Sequence, residues 1–267
     1  MVMRLSGATR LFPIVGDPIA HVRSPEGLTE HFAAADLDVV CVPFHVSPED
    51  FSAFVALLRA GRNFEGAVVT MPHKFAAYRA CDQVSDRSRF LRSVNAIMRD
   101  AQGRLEGDMF DGLGLVAAAT ERGCAFPGRR VLLVGAGGAG TAIAHAIAGE
   151  GVSEIGICDI DGGRRTDLVA RLVEAGLPAT AAEPKASGFD IIVNATPLGM
   201  RRTDPLPVDT NGLSGNMFVA EVVTMPAITP LLRVAREKGC RTSTGDDMFQ
   251  MVAKHLVACV ARNRSRT

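Results

Sequence analysis

Three glycines at a fixed spacing form the motif with the clearest chemical meaning in this sequence. Gly135, Gly137 and Gly140 follow the apolar run VLLV and precede the helical pattern TAIAHAIAGEG. A strand, a GxGxxG turn and a helix in this order predict a dinucleotide site. The first glycine permits a tight turn, the second lets the backbone approach a pyrophosphate, and the third allows close packing of helix on strand. We expect cofactor contacts along the whole loop, at Gly135, Ala136, Gly137, Gly138, Ala139 and Gly140.

One acidic residue decides which nicotinamide cofactor this site favours. Asp159 ends the following strand, SEIGICD, 19 residues after Gly140. A carboxylate there accepts hydrogen bonds from the adenosine ribose hydroxyls and repels a 2′-phosphate. NAD is therefore the predicted cofactor. Arg164 and Arg165 leave NADP open, because either side chain could reach a phosphate if the loop folds back.

The elements that must position these groups alternate between β-rich runs and helical stretches. RLFPIVG, VVCVPFHV and EGAVVTM predict strands, with helices around residues 25–35 and 48–60. A second series begins at RRVLLVGAGGAG and continues through EIGICDI, DIIVNATPLG and NMFVAEVVT. Nearly continuous apolar strands separated by helices predict parallel sheets covered by helices, and so an α/β fold. The Gly, Pro and basic residues of 122–130 separate the two series, which places a boundary between Asp111 and Gly128.

Composition narrows the classes of partner and compartment. The 29 basic residues are balanced by 29 acidic ones, which argues against nucleic acid and membrane surfaces and favours a small molecule. The start MVMRLSGATR lacks the apolar stretch of a secretory signal, which predicts a cytoplasmic protein. We expect the protein to be a monomer or a homodimer. The six cysteines have no CxxC spacing, so we expect reduced thiols and no metal site.

Motifs distributed along the chain carry a family resemblance. They are GDPIAHVRSP (16–25), GAVVTMPHK (66–74), SVNAI (93–97), GDMFDG (107–112), GAGGAG (135–140), NATPLGM (194–200) and MPAITPLL (225–232). In this order and spacing, the chain resembles the shikimate dehydrogenase family over nearly its full length. The resemblance implies reversible hydride transfer between a nicotinamide and a ring hydroxyl of a shikimate- or quinate-like acid. It also implies two domains: a substrate-binding α/β domain of residues 1–111, completed by a helix at 246–267, and an NAD(P)-binding Rossmann domain of 112–245 with a doubly wound parallel sheet.

The resemblance assigns proton handling to Lys74 and Asp111. When hydride leaves a carbinol carbon, the hydroxyl must lose its proton, and a positioned base accelerates that step. Lysine is ordinarily protonated, so the site must favour the neutral amine or pass the proton along a relay, and either residue remains open as the base. Taken alone, Lys74 would be an exposed lysine and Asp111 a helix N-cap. His73 occupies a position that is usually apolar in the family, and we predict a structural role for it.

Further positions follow from the resemblance. The implied substrate-binding positions are Val22, Ser24, Val68, Thr70, Asn95, Thr224 and Gln250. Beyond the glycine loop and Asp159, the implied cofactor-binding residues are Asn194, Thr196, Val222 and Gly245. We expect the substrate-facing groups at strand-to-helix turns, opposite the cofactor across a cleft that closes between the domains.

The substrate pocket departs from the family pattern. Val22, in the stretch from His21 to Pro25, replaces the first serine of HSxSP, and Val68 replaces an asparagine. Thr224 stands where a tyrosine is usual, and Val252 where a glutamine is usual, with Gln250 two positions away. Each lost polar partner costs a buried substrate group about 1 to 3 kcal/mol. We therefore expect the reaction type to be retained with an altered carboxylate end of the pocket, where Arg23 could supply a contact.

Other functions remain open. A non-catalytic NAD-binding sensor or scaffold would keep the dinucleotide site without turnover, although retention of Lys74, Asp111 and Asn95 argues against it. A dehydrogenase for a different, less polar alcohol fits the valine replacements. A dehydrogenase of the methylene-tetrahydrofolate type shares the architecture but lacks support from GDPIAHVRSP and MPAITPLL.

Overall fold

The structure, a computed structural model, describes residues 5–20, 22 and 24–264. It divides into two compact units. The first unit ends at Phe110 and takes up the chain again from Ala253, while the second comprises Asp111–Val252. Both units are built from alternating strands and helices, which confirms the predicted α/β class. No helix in the described residues has the length and apolar character needed to cross a membrane.

The first unit contains short strands and short helices. Its strands are β1 (Arg10–Leu11), β2 (Ile14–Gly16), β3 (Val39–Val40), β4 (Pro43–His45), β5 (Gly66–Val69), β6 (Gln83–Val84), β7 (Ala96–Arg99) and β8 (Leu105–Asp108). Its helices before Phe110 are α1 (Ser24–Ala34), α2 (Phe51–Ala60), α3 (Lys74–Ala80) and α4 (Asp86–Leu91). The main sheet has the order β4-β2-β5-β7-β8-β6, and β1 pairs with β3 separately.

The main sheet of the first unit is mixed. β4, β2 and β5 are parallel, but β7 runs antiparallel to both β5 and β8. The expectation of a mainly parallel sheet did not include this hairpin. Two runs read as single strands are also split: RLFPIVG forms β1 and β2, and VVCVPFHV forms β3 and β4. Pro13 lacks a backbone N–H, so a strand ladder breaks there and the chain changes partners.

The second unit begins with a helix and then alternates strands and helices. Its strands are β9 (Arg130–Val134), β10 (Glu154–Cys158), β11 (Ala179–Ala181), β12 (Ile191–Asn194), β13 (Phe218–Glu221) and β14 (Arg241–Ser243). Its helices are α5 (Asp111–Glu121), α6 (Gly138–Ala148), α7 (Gly162–Glu174) and α8 (Pro230–Glu237). The last helix, α9 (Gly245–Arg264), starts in this unit and ends in the first.

The sheet of the second unit is parallel throughout, in the order β11-β10-β9-β12-β13-β14. This order is that of a Rossmann sheet, with β9 and β12 flanking the point where the order reverses. Leu132, Ile192 and Val219 are fully buried on neighbouring strands, which explains their continuous apolar runs. α8 begins with a strong local signal, because Thr229 caps it by accepting from Leu232 N–H and Pro230 follows directly.

Candidate active site

Two proposed substrate-binding residues of the first unit meet at one edge of its main sheet. Thr70 directly follows β5, and its N–H donates to Val15 O at 2.9 Å. Asn95 directly precedes the antiparallel β7, so it lies beside the end of β5. The Val69 N–H donates to Asn95 O at 2.8 Å, which ties the two turns together. The carboxyl edge of parallel strands is where α/β sheets bind ligands.

Lys74 stands at the same edge, at the first position of α3. Its carbonyl accepts a hydrogen bond from Val94 N–H at 3.1 Å, so the helix start is fastened to the residue before Asn95. The half-buried Lys74 thus has a fixed backbone and a partly accessible side chain. Ser24 likewise begins a helix, α1, and is half-buried.

His73, next to Lys74, belongs to the core. It is 1 % exposed, and its Nε2 lies 2.7 Å from Val46 O. Its ring stacks on Phe51 with centroids 4.6 Å apart and an interplanar angle of 10°. These contacts agree with the structural role predicted for His73.

Asn95 has a structural contact that its sequence motif did not reveal. The residue is 4 % exposed, and its Oδ1 accepts the Phe110 N–H at 2.9 Å. This bond fixes the backbone immediately before Asp111, the first residue of α5. The side chain of Asn95 therefore holds the last residue of the first unit, which directly precedes the proposed catalytic residue Asp111 along the chain.

The remaining proposed substrate positions have different surroundings. Val22 is half-buried, whereas His21 and Arg23 lie outside the described residues. Val68 alternates along β5 with Ala67 and Val69, which are both in the core, and is itself half-buried. Thr224 follows β13, and Gln250 and Val252 lie on the portion of α9 that belongs to the second unit.

The glycine loop joins β9 to α6 with the geometry that a dinucleotide needs. Gly135 has a φ of 105°, and a Cβ there would lie 2.9 Å from the Ala195 backbone. A Cβ at Gly140 would lie 1.9 Å from Gly135 O, so helix and strand are packed at backbone contact. At Gly137 and Gly138, by contrast, an added Cβ would meet no described atom within 4 Å. The loop is therefore closed on its packing side and open where a pyrophosphate would approach, and these residues fit a dinucleotide.

Asp159 is anchored to this loop. Its Oδ2 accepts the Ala136 N–H at 2.6 Å, and its Oδ1 accepts the Asp161 N–H at 2.8 Å. A carboxylate offers about four lone-pair sites, so both oxygens can still accept from a ligand. Arg164 lies with its Nε 3.3 Å from Asp161 Oδ2, and the Nε of Arg165 is buried without a hydrogen-bond partner among the described residues.

A largely buried polar cluster lies at the ends of β12 and β13 and in the segments that follow them. We name it the Glu221 network; its members are Asn194, Thr196, Glu221 and Thr229. Asn194 Nδ2 donates to Leu198 O at 3.1 Å and to Glu221 Oε1 at 2.9 Å. Its Oδ1 accepts from Thr196 N–H at 3.1 Å and from Thr196 Oγ1 at 2.6 Å. Asn194 is 0 % exposed, so its side chain shapes the loop rather than presenting a free group to a ligand.

Glu221 is the acidic centre of this network and was not among the predicted site residues. It is 0 % exposed. Its Oε1 accepts from the N–H groups of Val222 at 3.0 Å and Val223 at 3.1 Å, and its Oε2 accepts from Thr229 Oγ1 at 2.9 Å. Burial raises the pKa of Glu221 to about 7, although these hydrogen bonds favour the charged form. The available signal was an acidic residue at the end of the apolar run FVAE.

Gly245 approaches the same segment. A Cβ there would lie 2.4 Å from Val223 O and 2.7 Å from Val222 O. The first residue of α9 therefore packs directly on the backbone that follows β13. The structure brings the proposed cofactor residues Val222 and Gly245 together.

Comparison with known proteins identifies the family. Residues 14–97 match the model of the shikimate dehydrogenase substrate-binding domain. A shikimate dehydrogenase (NADP(+)) of Rubrobacter xylanophilus is 38% identical over 254 residues, covering 93% of this chain and 89% of the relative. The chain belongs to the shikimate dehydrogenase family. This confirms the resemblance inferred from the motifs.

Solved structures of the family share the fold over almost the whole chain. Shikimate 5-dehydrogenase of Listeria monocytogenes, in complex with shikimate and NAD, has a TM-score of 0.88 and 28% identity, covering 98% of this chain and 95% of that one. Quinate dehydrogenase of Corynebacterium glutamicum, in complex with NAD, has a TM-score of 0.85 and 28% identity, covering 96% of this chain and 98% of that one.

Proposed function

We propose that this chain catalyses reversible hydride transfer between a nicotinamide cofactor and a ring hydroxyl of a shikimate- or quinate-like acid. The observation that carries the proposal is the convergence of Thr70, Lys74 and Asn95 at one sheet edge, fixed by the bonds from Val69 to Asn95 and from Val94 to Lys74. Family membership supports the same reaction, because relatives and structural neighbours are shikimate and quinate dehydrogenases.

The cofactor site is proposed on Gly135–Gly140, Asp159, Thr196, Val222 and Gly245. A bound nicotinamide supplies the hydride acceptor or donor. We propose a preference for NAD, because the Asp159 carboxylate is held at the loop and would repel a 2′-phosphate. The Rubrobacter relative is named for NADP(+), whereas the Listeria and Corynebacterium structures contain NAD, so the family accommodates both cofactors.

The chain's own groups divide the work of the reaction. Lys74 Nζ and the Asp111 carboxylate are proposed to manage the hydroxyl proton, with one accepting it as the carbonyl forms and the other holding the substrate oxygen in place. Thr70 and Ser24 are proposed to orient the substrate through their hydroxyls. Asn95 contributes by holding the Phe110 backbone ahead of Asp111.

The apolar positions favour a second candidate substrate class. Val22 and Val68 present no hydrogen-bonding atoms from their side chains and are both half-buried. A pocket that includes them would bind a less polar alcohol at lower desolvation cost than a densely hydroxylated acid. We propose this class as the alternative if shikimate and quinate are not substrates.

Balanced charge supports a small-molecule partner for the chain, acting as a monomer or homodimer. All six cysteines, each within the described residues, are free thiols. Free thiols are typical of reducing compartments, and we propose that the protein works in the cytoplasm.

The test is NAD(P)H formation with shikimate, quinate and less polar alicyclic alcohols, using wild type, Lys74→Met and Lys185→Met. Lys185 is an exposed lysine of the second unit and serves as the matched control. We expect Lys74→Met to lower kcat by about 10²- to 10⁴-fold while the Kd for NAD is unchanged. Wild-type turnover retained by Lys74→Met would contradict the catalytic assignment. NAD binding by the wild type without turnover of any alcohol would favour a sensor or scaffold.

A further inference from the structure

We propose that Glu221 is a positioning residue of the cofactor site. Its carboxylate holds the segments 194–199 and 222–229 in the arrangement that binds the dinucleotide. This inference rests on the proposed function, because it assigns the two segments to the nicotinamide cofactor. Glu221 itself is fully buried and acts through the groups that it binds.

The two segments leave neighbouring strands at the same edge of the sheet. β12 and β13 are parallel, with Asn194 opposite Glu221 in the register. β12 also pairs with β9, so the segment after Asn194 lies beside the glycine loop. A Cβ at Gly135 would lie 2.9 Å from Ala195, which shows how closely that segment borders the loop. Both segments therefore occupy the ligand-binding edge of the Rossmann sheet.

Glu221 is the residue that connects them. One oxygen, Oε1, accepts from the Asn194 side chain in the first segment and from the Val222 and Val223 N–H groups in the second. The other oxygen accepts from Thr229, which in turn accepts from Leu232 N–H and so caps α8. One carboxylate thus fixes the start of the loop after β12, the chain after β13 and the first turn of α8.

The donors of this cluster match a carboxylate. The Glu221 carboxylate has both oxygens available as acceptors, and each of the donors around it is matched. A glutamine keeps one acceptor oxygen but presents an N–H₂ group at the other position, where either Thr229 or the pair of backbone N–H groups loses its acceptor. Packing alone gives no reason for this residue, because an apolar side chain would fill a buried site at a lower desolvation cost.

Loss of the carboxylate should loosen both segments together. The Asn194 side chain would lose one of its two acceptors, which weakens its hold on Thr196 and Leu198. The Val222 and Val223 backbone, on which Gly245 packs, would lose its shared acceptor. A cofactor binding to the loosened protein must then order these segments, which reduces its affinity.

The experiment compares the full-length wild type with Glu221→Gln and with Glu237→Gln, an exposed carboxylate on α8, as the matched control. The Kd values for NAD and NADH are measured by calorimetry, and amide hydrogen exchange is followed without cofactor. We expect Glu221→Gln to raise both Kd values about tenfold and to speed exchange in 194–199 and 222–229 but not in α7. kcat at saturating cofactor should change far less than Kd.

A second pair of variants keeps the test decisive if Glu221→Gln does not fold. Thr229→Val removes the hydroxyl that donates to Glu221, whereas Thr229→Ser retains it. The valine variant should weaken NAD binding and speed amide hydrogen exchange in both segments. The serine variant should keep wild-type NAD affinity and wild-type exchange rates. Wild-type NAD affinity in folded Glu221→Gln, or faster exchange spread evenly over the second unit, would overturn the proposal. Lost NAD affinity in a chain that oxidises neither shikimate nor quinate would refute the proposed substrate and leave the role of Glu221 intact.

Discussion

Replacing Asp159 by Asn tests the cofactor preference most directly. Both carboxylate oxygens are engaged, one with Ala136 N–H at 2.6 Å and the other with Asp161 N–H at 2.8 Å. An asparagine can satisfy one of these donors and must point its own N–H₂ group at the other. Because Asp159 is only half-buried, we expect this mismatch to lower the free energy of unfolding by about 1 kcal/mol, or Tm by about 2 to 4 °C.

The effect on cofactor choice should be larger than the effect on stability. Loss of the charged acceptor weakens hydrogen bonds to the ribose hydroxyls of NAD, for which we expect about a tenfold higher Kd. Removal of the negative charge also ends the repulsion of a 2′-phosphate, which should lower the Kd for NADP by a similar factor. The ratio of the two Kd values therefore shifts by about a hundredfold toward NADP.

Calorimetric titration of wild type and Asp159→Asn with both cofactors measures this ratio. Asp167→Asn is the control, because Asp167 is an exposed carboxylate on the neighbouring helix α7. An unchanged ratio in Asp159→Asn would refute the assignment of Asp159 as the residue that selects NAD. A wild type that already prefers NADP would show instead that Arg164 or Arg165 outweighs the carboxylate.

Two further predictions concern stability. Gly140→Ala places a Cβ 1.9 Å from Gly135 O and should lower the free energy of unfolding by about 2 kcal/mol or more. Gly138→Ala places its Cβ in open space and should leave that free energy nearly unchanged. Equal urea midpoints for the two variants would contradict this packing. Burial raises the pKa of Glu221 from 4.5 to about 7, so the folded state holds its proton longer than the unfolded state. This contribution to the free energy of unfolding is fully present below pH 4.5 and is lost as the pH rises through 7. The total loss is about 3 kcal/mol. Glu221→Gln should therefore show a flatter decline in urea-unfolding free energy between these pH values, and parallel curves for variant and wild type would argue against titration of Glu221.

The second unit could be predicted closely from the sequence because its decisive signals are local. VLLV, the glycine loop and the helix that follows lie within one continuous stretch, and Asp159 follows at the expected spacing. Gly135 has the positive φ and Gly140 the close packing that the motif predicts, and the space at Gly137 is open. The structural role predicted for His73 agrees with its burial, because the residue is only 1 % exposed.

The first unit was harder because its pairing is non-local. The β7–β8 hairpin closes locally through residues 100–104, but the strands that flank it in the sheet, β5 and β6, come from other parts of the chain. Pro13 and Pro43 divide two apolar runs whose halves pair with different partners. Hydrophobic pattern alone does not specify which strands become neighbours.

The sequence by itself determined the α/β class and the family, and it supplied the proposals for the dinucleotide loop and for Lys74 and Asp111 as proton-handling residues. Only the tertiary structure decided how these groups are supported. It assigned the Asn95 side chain to the Phe110 backbone, and it placed Glu221 among donors from the segment that follows it, 222–229, and from Asn194, which is 27 residues away along the chain. The physical reason is that motif residues act through local backbone geometry, whereas a buried polar group acquires its role from the distant donors and acceptors that folding brings to it.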